Sequence, residues 1–279
     1  IKVRGMASAL VIRVGSRSRE VETSPQHKIL DIHTDEERRS EREIQMDPDE
    51  IRNRKEQLKE VFGEGKVKEK IDFLDKNPTK TGTLLDSELG KMLAFLNRSK
   101  IRDEIVDIYN TLKDESGEVP IAILLSLGGT STGAIDEILC ICTRICKGGV
   151  YVIIPGFTED LCKYDQEIRV RGNLEMITKK LKRMSEGTSR ELSEGTSREY
   201  TIVSLSEDYK ISSGDYKVFY IANIDSEVGF RRKMGAAIQY LFKLFSSGTE
   251  NIIGEIETNC FGVFIEDYGQ ELEKIREYC

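Results

Sequence analysis

Gly128, Gly129, Thr130, Ser131, Thr132 and Gly133 follow the apolar stretch Ile121 to Leu127 and lead into a helical pattern that runs to Cys146. A glycine-rich turn that enters a helix presents backbone N–H groups at the positive end of the helix dipole, where an anion binds. These six residues are the candidate anion- or nucleotide-binding site, with Ser131 and Thr132 as hydroxyl donors. A Walker loop would place Gly-Lys-Ser/Thr after the glycines, and Gly133, Ala134 and Ile135 stand there instead. The dinucleotide spacing G-x-G-x-x-G is also missing.

Over about ten residues the same turn is similar to the G-G-x-G-T-x-x-E loop of the cytokinin-activating phosphoribohydrolases, with two departures. The third glycine of that pattern is Ser131 here, and its catalytic glutamate falls on Ile135. The resemblance therefore carries no catalytic residue onto this chain.

Phosphates are also met by basic side chains. Lys2, Arg4, Arg13, Arg17 and Arg19 lie in a first stretch of nineteen residues that has no acid before Glu20. A second cluster, Arg169, Arg171, Lys179, Lys180, Lys182 and Arg183, gives residues 168–184 a net charge of +5 once Glu175 is subtracted. These eleven are the candidate nucleic-acid contacts. The competing reading of the first group is a β-strand through Ala9, Leu10, Val11, Ile12 and Val14, or else a transit signal. The competing reading of the second is a solvated helix face.

Other chemistries are poorly supplied. The two imidazoles, His27 and His33, fall in no metal-binding spacing, so neither a Ser-His or Cys-His nucleophile nor a zinc site is expected. Cys140, Cys142 and Cys146 read as small buried hydrophobes in a reducing interior. The carboxylates of residues 35–60 number ten beside seven basic residues and single out no acid–base pair. No metal and no cofactor is expected, and the chain reads more readily as non-enzymatic than as catalytic.

Apolar spacing places these residues on elements. Asp47, Pro48 and Glu50 predict a helix start, Ile51, Leu58, Val61 and Phe62 its inner face, and Gly63 its end. Thr34 and Glu37 form a possible capping box. Three further stripes, through Val67–Leu74, Leu85–Leu96 and Ile101–Leu112, make residues 47–114 a helical subdomain. Ile121 to Leu127, the glycine turn, the following helix and Val150 to Ile154 resemble a β-loop-α-β unit.

Beyond that unit, Glu167 to Arg171 alternates like a strand and Leu174 to Met184 like a helix. The heptad Ser185–Glu191 recurs as Ser193–Glu199 and predicts an exposed loop over residues 185–200. Thr201–Leu205 and Tyr216–Ile224 read as a hairpin, Phe230–Phe245 as a central helix, Ile252–Ile256 and Cys260–Ile265 as a second hairpin, and Tyr268–Tyr278 as a terminal helix.

The expected fold class is thus helix-rich α+β, with an N-terminal helical half followed by a mixed α/β half with hairpins. Its parts are a charged N-terminal extension over 1–46, the helical subdomain 47–114 and a mixed subdomain 115–279. Among 279 residues, 49 acidic against 42 basic side chains exclude a uniformly basic nucleic-acid binder, and 38% hydrophobic residues suffice for a core. No apolar stretch reaches the roughly 20 residues of a membrane span, and a cytoplasmic setting is expected.

Two functions follow. The first is a structural or assembly protein of nucleoprotein, matrix or capsid type, a viral candidate, that self-associates and contacts RNA, or a protein partner through the charged 35–60 segment. The alternative is a nucleotide- or phosphate-ligand-binding α/β domain that uses residues 128–133.

Overall fold

Strands buried on both faces need apolar residues at consecutive positions, and the sequence supplies several such runs. In the computed structural model, residues 8–35, 40–77, 86–146, 149–157, 164–185, 216–224, 226–247 and 262–264 are described. The chain is mixed α/β. Strand β1 (Leu10–Val14) is followed by a 3₁₀ turn (Ser16–Glu20), β2 (Lys28–His33) and β3 (Glu43–Gln45). Helices α1 (Asp49–Asn53), α2 (Lys55–Phe62), α3 (Glu64–Lys76) and α4 (Ser87–Ser116) lead to β4 (Ile121–Leu125). Then come α5 (Gly129–Ile145), β5 (Val150–Phe157), α6 (Tyr164–Ser185), β6 (Tyr216–Ile224), α7 (Glu227–Ser247) and β7 (Gly262–Phe264).

One sheet runs β3-β2-β1-β4-β5-β6-β7, parallel throughout except for the antiparallel β6–β7 pair. All five residues of β1 and all five of β4 are buried, as a parallel sheet covered on both faces requires. Arg13 is tolerated there because its register partner on β2 is Asp31. Its guanidinium donates to both Asp31 oxygens at 2.6 and 2.7 Å and to the Val21 carbonyl at 2.9 Å.

The expected α+β arrangement is corrected in one respect. The helices do not form a separate half before a hairpin-rich one; strands from both ends of the chain build a single, mainly parallel sheet. The stretch 1–46, expected as a charged extension, contains β1, β2 and β3. The anticipated β-loop-α-β unit is present as β4, α5 and β5. The two stripes split near Asn97 belong to one helix, α4, because Asn97 is satisfied inside it: its amide donates to Leu93 O at 3.0 Å and to Glu50 at 3.1 Å. Residues 167–171, expected as a strand, lie in α6. Residues 186–215, 248–261 and 265–279, which hold the repeat, parts of both expected hairpins and the terminal helix, lie outside the described residues, as does Glu37 of the expected capping box.

Helix α4 is capped by Asp86, whose carboxylate accepts from the amides of Glu88 and Leu89. It crosses the first turns of α5 at glycine. A Cβ on Gly133 would run into the backbone of Gly90 and Lys91, and one on Gly90 into the carbonyl of Gly129. Gly133 and Gly90 are therefore needed for helix–helix approach. No helix among the described residues is long and apolar enough to cross a membrane.

Candidate functional site

Chain direction in the sheet creates the site. From β1 the chain moves outward through β2 and β3, and from β4 it moves the opposite way through β5 and β6. The chain leaves β1 and β4 towards opposite edges of the sheet at this reversal, and in open parallel sheets ligands bind at such a point, beyond the carboxyl ends of the strands.

After β1 stands Gly15, at φ +90°, where a Cβ would collide with the Ser126 hydroxyl that follows β4. The Gly15 amide donates to Ile32 O at 2.8 Å, which draws the end of β2 alongside. There Thr34 Oγ1 lies 3.5 Å from Thr130 Oγ1, and the Ser16 hydroxyl donates to Asp35 at 2.6 Å. The ends of β2, β1 and β4 thus bring Thr34, Asp35, Gly15, Ser16 and Ser126 up to the start of α5.

After Ser126, Leu127 adopts φ 56°, and it is the only non-glycine residue with positive φ among the described residues. Such a conformation costs a β-carbon-bearing residue on the order of 1–2 kcal/mol and is retained where the surroundings over-determine it. Gly128 follows as N-cap with no side-chain cap, and the first intrahelical bond runs from Thr132 N–H to Gly128 O at 3.0 Å. The amides before Thr132 therefore stand outside the helix's own ladder, at its positive end.

The six expected anion-binding residues play different parts. Gly128 alone of Ser126–Gly133 is not buried, and it forms the mouth. The Ser131 and Thr132 hydroxyls, expected to face a ligand, both donate back to Gly128 O, at 3.0 and 2.9 Å. Gly133 serves the crossing with α4. What the turn offers an anion is backbone, not hydroxyl. Gly15, Thr34, Asp35, Ser126, Leu127 and Asn173 join the site without having been expected there. Gly15 has a cue in the sequence, a glycine directly after an apolar β-prone run, whereas no local pattern marks Asn173.

The expected nucleic-acid contacts scatter. Lys2 and Arg4 lie outside the described residues. Arg13 is committed to Asp31, and Arg19 is buried against Asp35 at 3.2 Å and Glu43 at 3.3 Å. Arg17 and Arg171 are half-buried, and Arg169 and Lys179 are exposed. Lys180 pairs with Asp136 at 2.9 Å and donates to Thr132 O at 2.7 Å, tying α6 to the first turns of α5. Lys182 and Arg183 belong to α6. Charges of the 35–60 segment are likewise engaged within the chain, Arg42 with Glu104 and Asp107, and Arg52 with Asp49 and Asp75.

Neither histidine is placed for acid–base work. Burial lowers the pKa of His27 from 6.5 to about 4, and burial followed by the Arg19 charge lowers that of His33. His33 Nδ1 accepts from the Asp35 amide at 3.1 Å, so this ring is an internal acceptor. Cys140, Cys142 and Cys146 are buried free thiols whose pKa values burial raises, which suppresses the thiolate. No metal-binding cluster of His, Cys, Asp and Glu occurs among the described residues.

No family model matches the chain, and no curated protein matches it in sequence. Solved structures do. A GTPγS-bound protofilament of CetZ2 from Haloferax volcanii is 12% identical with a TM-score of 0.49, the match covering 92% of this chain and 64% of that one. Two structures of FtsZ from M. jannaschii, a point mutant and an empty dimer, are each 16% identical, with TM-scores of 0.34 and 0.36. They match over 62% and 63% of this chain and 44% and 43% of theirs. The chain thus spans less than two thirds of the length of each.

The expectation of a viral nucleoprotein, matrix or capsid component that binds RNA is corrected. The physical reason lies in the basic residues themselves. Arg13 and Arg19 are neutralised inside the fold, so the described residues of the N-terminal cluster present no continuous basic surface to a phosphate backbone.

Proposed function

We propose that the chain is a nucleotide- or phosphate-ligand-binding α/β domain, with the turn from Ser126 into α5 as the phosphate cradle. The observation that carries this reading is the position of an uncapped helix start, reached through a strained residue, where the order of parallel strands reverses. Three strand ends converge on it. Glycines at 15 and 128 keep side chains out of the approach, and Asp35 at the end of β2 supplies a carboxylate at the same point for a polar group of the ligand.

A thermal-shift panel tests the proposal. GTPγS, the ligand of the CetZ2 structure, is run beside ATP, NAD and inorganic phosphate. A ligand present at a hundred times its dissociation constant stabilises the fold by about 2.7 kcal/mol. Gly128→Val separates binding from folding, since a Cβ at this position meets only the Ser126 hydroxyl, at an ordinary 3.5 Å. The variant is expected to melt near the wild type and to lose the ligand shift. A shift that survives it places the site elsewhere, and no shift with any phosphate compound rejects the reading. Light scattering with and without GTPγS tests the expected self-association in the same samples.

A further inference from the structure

The turn that forms the proposed cradle is held from outside by a residue 46 positions away. Asn173 of α6 is buried, and its side-chain amide donates to the Leu127 carbonyl at 2.9 Å. Leu127 is the strained residue of the turn, itself 1% exposed. The Leu127–Gly128 peptide is trans and planar, so its C=O and N–H point in opposite directions as one rigid unit. Anchoring the carbonyl to α6 therefore aims the Gly128 N–H away from α6. Gly128 is the residue of this turn that reaches the surface.

Without that anchor, Leu127 gains by relaxing to negative φ, and the relaxation swings the peptide plane and its amide together. We infer that Asn173 is a positioning residue for the phosphate site: it holds Leu127 in the left-handed conformation and so directs the Gly128 amide at the ligand. This rests on the function proposed above. It adds a regulatory consequence, because this hydrogen bond, beside the Lys180 contacts to Thr132 O and Asp136, transmits any shift of α6 along its axis to the cradle.

The test is a double-mutant cycle on Asn173→Ala and Leu127→Gly, read as the dissociation constant for GTPγS and as the ligand-free melting temperature. Glycine occupies the left-handed region without steric penalty, so it no longer needs the anchor. N173A is expected to weaken GTPγS binding about tenfold, the scale of one buried hydrogen bond. L127G removes the strain that the anchor opposes, so whatever its own affinity, the further loss on adding N173A is expected to shrink to about twofold or less. A role confined to stability would lower the melting temperature and leave the dissociation constant of the folded protein unchanged. The inference is overturned if N173A binds GTPγS as wild type does, or if its tenfold loss persists undiminished in the L127G background. Failure of the wild type to bind any of the phosphate probes removes the underlying function and this role with it, an outcome distinct from wild-type binding with an indifferent N173A.

Discussion

At the scale of single residues, a charge is legible in a sequence while its partner is not. Arg13 sits in a run of basic residues and reads as a phosphate contact, yet it lies in a buried strand whose register opposes it to Asp31. The pair is bidentate and Asp31 is fully buried, so the two charges stand or fall together. Removing one partner leaves the other uncompensated, at a cost of about 3–5 kcal/mol, whereas replacing both with apolar residues of similar volume is often close to neutral. Arg13→Met is therefore expected to destabilise the fold by that amount in urea unfolding, and Arg13→Met with Asp31→Leu to recover most of it. A double variant as unstable as the single one would show that the Val21 carbonyl, and not Asp31, is what Arg13 serves. The candidate site is half legible on the same terms: the glycines at 128 and 129 mark a turn, but the inward hydroxyls of Ser131 and Thr132 and the anchoring amide of Asn173 depend on bonds that only the folded chain makes.

At the scale of elements, periodicity locates most helices and the β4–α5–β5 unit, because each buries one stripe or one continuous run. It fails where short-range pattern and tertiary setting disagree. Glu167-Ile168-Arg169-Val170-Arg171 alternates with a period of two, and the stretch is nonetheless helical within a 22-residue element whose inner face is Val170, Leu174, Ile177 and Leu181. Strand β3 escapes a reading by pattern because it is only three residues long, and β2 because Lys28, Asp31 and His33 interrupt its apolar run. Glycine carries a second meaning at this scale. Gly133 looks like the end of a phosphate turn and is instead the contact point of α4 with α5. Gly133→Ala is expected to force the helices apart and cost about 1–3 kcal/mol, the usual scale of overpacking. Gly172→Ala supplies the control: nothing lies within 4 Å of its Cβ position on α6, and the substitution should gain about 0.5–1 kcal/mol of helix propensity. Equal effects of the two in chemical denaturation would refute the crossing as the reason for Gly133.

For the molecule as a whole, the buried histidines couple stability to pH. The pKa of His27 is lowered by burial from 6.5 to about 4, and His33 is lowered in the same direction by burial and by Arg19, with Asp35, Glu43 and Asp31 opposing. In each case the unfolded chain takes up the proton first as pH falls. A group depressed on folding contributes fully above its unfolded pKa and loses that contribution as pH drops towards its folded one. Stability is therefore expected to be flat on this account above about pH 7 and to decline from about 6.5 towards 4, with each histidine adding at most about 1.4 kcal/mol per pH unit. Ordinary carboxylates protonate below the window from about pH 7 to 5, and although burial raises the Glu137 carboxyl towards it, comparison with a histidine variant cancels that contribution. His27→Gln, neutral at every pH, should leave stability at about pH 7.5 altered by a constant but make the fall between about pH 7 and 5 shallower by the share of one histidine. Parallel stability curves for wild type and H27Q across that range would mean that His27 is as free to protonate in the folded chain as in the unfolded one, and that its burial does not couple stability to pH.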